Sequence, residues 1–199
     1  MPTNYSKKIS ETALRIGEVR FSYANVFSPR RNEDGTEGKY SVQLLIPKAN
    51  TAAVNMINAA IEAAKQAGLS TKFGGKMPPA SKLHTPLRDG DDEFPDDENY
   101  AGMYFLNASS AKEYKPTVCI ISGGKPTPAL DGEDFYSGCY GAASVAFYAY
   151  STSGNVGIAC GLNGVIKTRD GEKLGGGRTM DQDFGDLAAE VGDSTSLLD

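Results

Sequence analysis

Alternation of apolar and polar residues dominates the chain and predicts a mainly β protein. From Lys39 to Pro47, Tyr40, Val42, Leu44 and Ile46 alternate with Lys39, Ser41 and Gln43, the period-two signature of a half-buried strand. Ala13 to Phe27 reads similarly: Leu14 and Ile16 share a face, and Val19, Phe21 and Tyr23 continue it after a one-residue slip. A bulge at Gly17-Glu18 absorbs such a slip and lets a strand bend around a small barrel. Residues 30–38 predict a polar hairpin loop. Further strands are expected over 100–109, 117–122, 139–152 and 156–168, the last two joined by a turn at Ser153-Gly154-Asn155. Only Asn50 to Ala67 carries a helical period: Asn50 caps it, Val54, Ile57, Ile61 and Ala64 form its apolar stripe, and Gly68 marks its stop. Residues 69–99 and 123–134 read as irregular loops, and Gly175-Gly176-Gly177 as a flexible exit. Five or six strands with one central helix is the profile of a small closed barrel.

Charge changes this picture. The net charge of −5 conceals a strong asymmetry. The six acids Asp181, Asp183, Asp186, Glu190, Asp193 and Asp199 fall in residues 179–199, which contain no Lys or Arg. The remaining body stands at +1, and at +8 without the seven acids of the block from Asp89 to Glu98. The expectation is a basic body at residues 1–178 with two detachable acidic segments, the second a disordered tail at 179–199. A basic body suits a polyanionic partner, and an acidic tail can compete for the same surface. No apolar stretch reaches the length of a membrane span, and the N-terminus lacks a secretory signal. The three cysteines, Cys119, Cys139 and Cys160, suggest buried free thiols in a reducing compartment.

Catalytic chemistry finds little support. His84 is the only histidine and has no nucleophile motif beside it, there is no Cys-x-x-Cys, and Gly123-Gly-Lys-Pro126 is not a phosphate-binding loop. No cofactor and no metal site are expected. The acidic block leaves a metal-dependent nuclease as a third reading. Interleaved aromatic and basic residues are more suggestive. Strict alternation puts Tyr140, Ala142, Ser144, Ala146, Tyr148 and Tyr150 on one face, with Val145 and Phe147 opposite. Flat rings at both ends and small residues between them leave room for a base; the competing reading is a half-buried face with wet hydroxyls. Arg20, Arg30, Arg31, Lys39, Lys82, Arg88, Lys167 and Arg169 lie near strand ends or in loops, where convergence would form a phosphate-binding groove.

Six segments then resemble a known family, the single-stranded DNA-binding proteins of tailed bacteriophages, long catalogued as a domain of unknown function. They are residues 15–27, 39–48, 83–91, 104–110, 135–141 and 156–163. The resemblance implies a mainly β, oligonucleotide/oligosaccharide-binding (OB) barrel of five to six Greek-key strands with one helix, long loops and a flexible acidic tail. It also implies a non-enzymatic, sequence-independent binder of single-stranded DNA acting in phage replication and recombination in the bacterial host cytoplasm. Matching positions put Arg20, Tyr23, Lys39, Arg88, Phe105, Tyr136 and Tyr140 at the DNA site. Phe73 stands where relatives often carry Trp. The tail acids, with Phe184, Leu187, Leu197 and Leu198, would meet phage or host replication proteins. Homodimerisation stays open. The alternative function is a β-rich interaction or virion-assembly module that ignores nucleic acid.

Overall fold

The computed structural model describes residues 4–175. Ten strands and two helices follow in chain order: β1 (Lys7–Lys8), β2 (Ala13–Asn25), β3 (Tyr40–Pro47), α1 (Thr51–Gly68), β4 (Leu83–His84), β5 (Leu87–Asp89), α2 (Gly90–Glu93), β6 (Met103–Ser110), β7 (Thr117–Ser122), β8 (Lys125–Pro128), β9 (Tyr140–Thr152) and β10 (Asn155–Arg169). Five of the strands close a barrel in the order β2-β3-β6-β10-β9 and back to β2. Its pairs are antiparallel except β6 with β10, which run parallel over only two positions, Ala108 with Cys160 and Ser109 with Gly161. This is OB-type topology, and the family expectation of a five- to six-stranded barrel holds.

The predicted bulge is present: Gly17 pairs with Ala142 and Val19 with Gly141, leaving Glu18 unpaired. Glycine is required there because a Cβ on Gly17 would stand 2.8 Å from the Ala142 Cβ. Leu14, Ile16, Val19 and Phe21 consequently all point into the core, with Val42, Leu44, Ile46, Leu106, Val145 and Phe147. Tyr23 departs from the expected inward face. Its φ of +46° and a second register shift between Ser22 and Asn25 turn it outward, 68% exposed.

The helix α1 plugs the barrel through Ala53, Ile57, Ala60, Ile61 and Ala64. The Asn50 side chain accepts the Ala53 N–H at 3.2 Å, as its capping role requires. Gly68 serves differently from the expected stop. It is the last helical residue, and a Cβ there would lie 2.2 Å from the Ala149 Cβ, so its absence lets the helix end seat on β9.

Two loops carry more structure than their sequences suggest. Within residues 69–99, β5 pairs with β6 and β4 runs parallel to β10. Gly123 and Gly124, at φ +57° and +74°, form a tight turn of the primed kind that returns the chain as β8. Pro126 and Pro128 are tolerated there because β8 is an edge strand.

The acidic block is not detachable. Lys48 Nζ bonds the carboxylates of Asp89 (2.5 Å) and Asp91 (2.8 Å), and Asp91 also accepts the Gly102 N–H. Those bonds raise the Lys48 pKa, and the Lys48 bond holds the Asp91 carboxyl below its usual value. Phe94 stacks on Tyr100 and Phe105, with centroids 4.4 and 5.5 Å apart, and seals a small second core formed by Leu45, Tyr100 and Phe105. Of the cysteines, Cys139 and Cys160 are buried and Cys119 is half-buried. Complete burial pushes the Cys160 thiol up to about 12. The expected acidic tail and its boundary at residue 178 lie outside the described residues.

Candidate nucleic-acid interface

The outer face of the barrel opens into a groove where β6 and β10 diverge beyond their short parallel contact. One part, of about 1120 Å³, lies among Lys39, His84, Arg88, Asn107, Tyr148 and Tyr150. A second part, of about 630 Å³, is bounded by Tyr23, Asn25, Arg30 and Gln43, and shares Asn107 and Ser109 with the first. The rings lie low because the neighbouring strand has glycine, without a side chain, at the positions beside them. A Cβ on Gly161 would be 3.3 Å from the Tyr148 ring, and one on Gly157 would be 2.9 Å from the Tyr150 hydroxyl. Tyr148 is 47% exposed and offers a platform on which a base can stack.

The wall between the two parts is fixed from within. Tyr100, buried beneath the wall, donates its hydroxyl to Gln43 Oε1 at 2.5 Å, and Gln43 Nε2 donates to Asn107 Oδ1 at 3.1 Å. Burial raises the Tyr100 pKa, keeping it a donor. Asn107 takes that bond through its oxygen, so both N–H groups of its side-chain amide remain available to the groove. Arg30 and Lys39 are exposed, and neither has an ion pair among the described residues. Arg88 reaches the groove but is forked onto Glu93, through Nε to Oε1 at 2.6 Å and through a second, shorter bond to Oε2. Its guanidinium lies over the Phe105 ring, 4.9 Å from the centroid.

A second aromatic and cationic cluster occupies the opposite end of β9, and its groups are already engaged. The Arg169 guanidinium stacks 3.5 Å from the Tyr140 centroid and forks onto Glu18, with both bonds 2.9 Å. The Glu18 bonds raise the Arg169 pKa further. Arg20 approaches the Tyr140 ring at 5.6 Å while donating to the carbonyls of Gly138 and Glu172 and to Asn99. Lys167 and Lys173 stand 5.3 and 5.4 Å from the Tyr136 centroid. The Tyr136 hydroxyl donates to Asp170 at 3.0 Å and accepts from the Gly171 N–H at 3.3 Å. Lys167, at 2.8 Å, and Tyr136 together hold the Asp170 carboxyl below its usual value. Residues 170–174 thus form a strap across the base of β9.

The residues predicted from sequence therefore separate. Tyr23, Arg30, Lys39, Arg88, Tyr148 and Tyr150 meet at the groove, whereas Arg20, Tyr136, Tyr140, Lys167 and Arg169 meet under the strap. Phe105 is corrected outright. At 1% exposure under Phe94 and Tyr100 it cannot stack a base. Phe73 packs half-buried against the main core beside Gly68, Arg31 bridges to Glu37 in the hairpin loop, and Lys82 is exposed just before β4. Sequence reasoning missed His84, Asn107 and Ser109 as groove residues. The signal for the last two was available, since they are the polar, outward positions of β6 between Leu106, Ala108 and Ser110. The tail residues Asp181, Asp183, Phe184, Asp186, Glu190, Asp193, Leu197, Leu198 and Asp199 lie outside the described residues. Among the described residues, no three His, Cys, Asp or Glu side chains gather to hold a metal ion, and no helix is long and apolar enough to cross a membrane.

Comparison with known proteins bears on this site. A family model described as the single-stranded DNA-binding protein of Enterobacter phage Enc34 matches residues 12–195. A putative protein of Acyrthosiphon pisum secondary endosymbiont phage 1 is 32% identical over 185 residues, covering 88% of this chain and 94% of that protein. The single-stranded DNA-binding protein from bacteriophage Enc34, solved in complex with single-stranded DNA, superposes with a TM-score of 0.69 at 27% identity, over 88% of this chain and 98% of that one. The single-stranded DNA-binding protein encoded by bacteriophage T7 shares the fold, with a TM-score of 0.54 at 16% identity, over 82% of this chain and 93% of that one.

Proposed function

Because the chain belongs to the family of the Enc34 phage single-stranded DNA-binding protein, a family of binding proteins rather than enzymes, we propose that it holds single-stranded DNA in the groove between Tyr23 and Tyr150. The observation that carries this reading is the pairing of exposed tyrosine rings with cations that have no ion pair among the described residues. Tyr148 and Tyr150 stack bases, which is tolerant of sequence because every base has a π face. Arg30 and Lys39 follow the phosphates, and Asn107 donates to a base carbonyl or a phosphate oxygen. Lys82, His84 and Arg88 flank the path. Such a protein coats strands exposed during phage replication and recombination in the host cell.

The acidic tail completes the mechanism. Its acids occupy the groove when DNA is absent, are displaced when DNA binds, and then recruit replication proteins through Phe184, Leu197 and Leu198. Supporting this, Leu174, close in sequence to the tail, packs on the Leu45, Tyr100 and Phe105 cluster, and Arg88 spans from that cluster to the groove. Fluorescence anisotropy with labelled single-stranded DNA and matched duplex, across a salt series, tests both parts. The expected result is preference for the single strand, a steep salt slope, and tighter binding by a chain ending at Arg178, most of all at low salt. Absence of binding by either form overturns the function. Equal affinity of the two forms overturns the tail mechanism alone.

A further inference from the structure

Away from the groove, the outer face of β9 bears another hollow, of about 340 Å³. Its floor is Ala142 and Ser144 of β9, and around it stand Arg15 of β2, Thr117 and Cys119 of β7, and Asn163 of β10. Local sequence explains the space. The register of β9 and β10 slips between Leu162 and Gly164, so Asn163 is unpaired and turned outward. Gly164 follows without a side chain, where a Cβ would stand 2.8 Å from the Thr117 carbonyl oxygen. With only Ala142 and Ser144 opposite, nothing fills the gap. The lining is mostly apolar, and Ser144 in the floor and Thr117 and Asn163 at the rim offer donors and acceptors. Arg15 is exposed and has no ion pair among the described residues; its Nε donates to the Tyr5 carbonyl at 2.7 Å, leaving the remaining N–H groups free.

A small depression of about 290 Å³ links the hollow to the groove through shared lining residues, Lys39, Ser109 and Tyr148 with the groove and Asn163 with the hollow. We infer that the hollow is a nucleobase subsite, in which one base of the strand leaves the stack on Tyr148 and inserts edge-first between β7, β9 and β10 while Arg15 takes the adjoining phosphate. This rests on the single-strand reading above and extends the path across the barrel. Insertion of an unstacked base among small residues with hydrogen-bonding groups at its edge is how single strands are held in shaped pockets.

Cys119 reports on the subsite directly, because it is the one half-buried thiol among the three and the other two are buried. The full chain would be alkylated with N-ethylmaleimide, alone and at saturation with a thymidine oligonucleotide of about 30 residues, longer than the roughly 4–16 nucleotides one such barrel covers. Saturation would be verified by anisotropy in the same samples. The expected result is a Cys119 alkylation rate slowed about tenfold or more by bound DNA, as for a group removed from solvent. A second variant, Ser144→Leu, fills the hollow from an outward position. It should weaken binding of the long oligonucleotide about fivefold or more, the loss of one base contact, while an oligonucleotide of about 6 residues binds as to the parent. Verified binding with an undiminished alkylation rate and a fully active Ser144→Leu protein overturns the subsite and leaves the groove standing. No binding at all overturns both.

Discussion

The two ends of β9 carry the same ingredients and put them to opposite uses. At one end Tyr148 and Tyr150 lie over glycines of β10, beside Lys39, whose charge no described carboxylate neutralises. At the other end Tyr136 and Tyr140 are covered by Arg20, Lys167, Arg169 and Lys173, and the two charges nearest the rings are matched to Glu18 and Asp170. The same pattern of rings and cations thus occurs in two electrostatic states. Under the proposed function the decisive difference is whether the protein's own carboxylates and carbonyls have already claimed the cations. The strap commits its groups to internal pairs; in the groove Arg88 is likewise paired, to Glu93, while Arg30 and Lys39 have no ion pair among the described residues.

The largest expected effect separates the two ends. Replacing Tyr148 and Tyr150 together by Ala should weaken single-stranded DNA binding by about 25-fold or more, since each base-ring stack contributes ~1–3 kcal/mol. Replacing Tyr136 and Tyr140 should leave affinity unchanged and lower the thermal midpoint instead. Both outcomes are read by anisotropy and circular dichroism on the same preparations. Next in size is Arg169→Ala, which removes a forked Glu18 pair and a ring contact and should lower the midpoint by about 2–4 °C. Arg169→Lys should not restore it, because an ammonium cannot fork onto a carboxylate and stack on a ring together. The salt dependence sharpens the contrast further. Lys39→Ala and Arg30→Ala should each flatten the slope of log K against log salt by about 0.7, whereas Arg169→Ala should leave it as it was.

The smallest effect is acidic. Asp91 and Asp170 both titrate below the ordinary 3.8, through Lys48 and Lys167 respectively. Groups depressed in the folded state contribute stability that is complete above their unfolded value and lost as pH falls through the folded value. Melting curves should therefore be insensitive to these two pairs from neutrality down to about pH 4 and should shift downward below it. Lys48→Met should reduce the Asp91 share of that acid sensitivity, leaving the part held by the Gly102 N–H.

Much of this was legible in the chain. The alternation of β3 and β9, the bulge after Gly17, the capped helix at Asn50 and the turn at Ser153-Gly154 are local patterns, written within a few residues of one another. The distinction between the two clusters was not, because it depends on partners remote in sequence: Arg169 meets Glu18 across 151 positions and Arg20 meets Glu172 across 152. The acidic block misled for the same reason. Counted along the chain it is a charge run, but Lys48 lies 41 residues from Asp89 and converts the run into a folded cover for Phe105. Phe105 itself occupies an outward position on β6, and Phe94, Tyr100, Leu45 and Arg88 bury it. Gly157 and Gly161 show the converse, since a glycine in a strand reads as weakness until the ring that uses the vacant space is seen.

The most direct measurement is photocrosslinking of the full chain to single-stranded DNA carrying 5-iodouracil at successive positions, with the attached residues identified by mass spectrometry. Crosslinks at Tyr148 and Tyr150, extending to Tyr23, are the predicted result. Crosslinks concentrated at Tyr136 and Tyr140, with the groove tyrosines silent, would contradict the account.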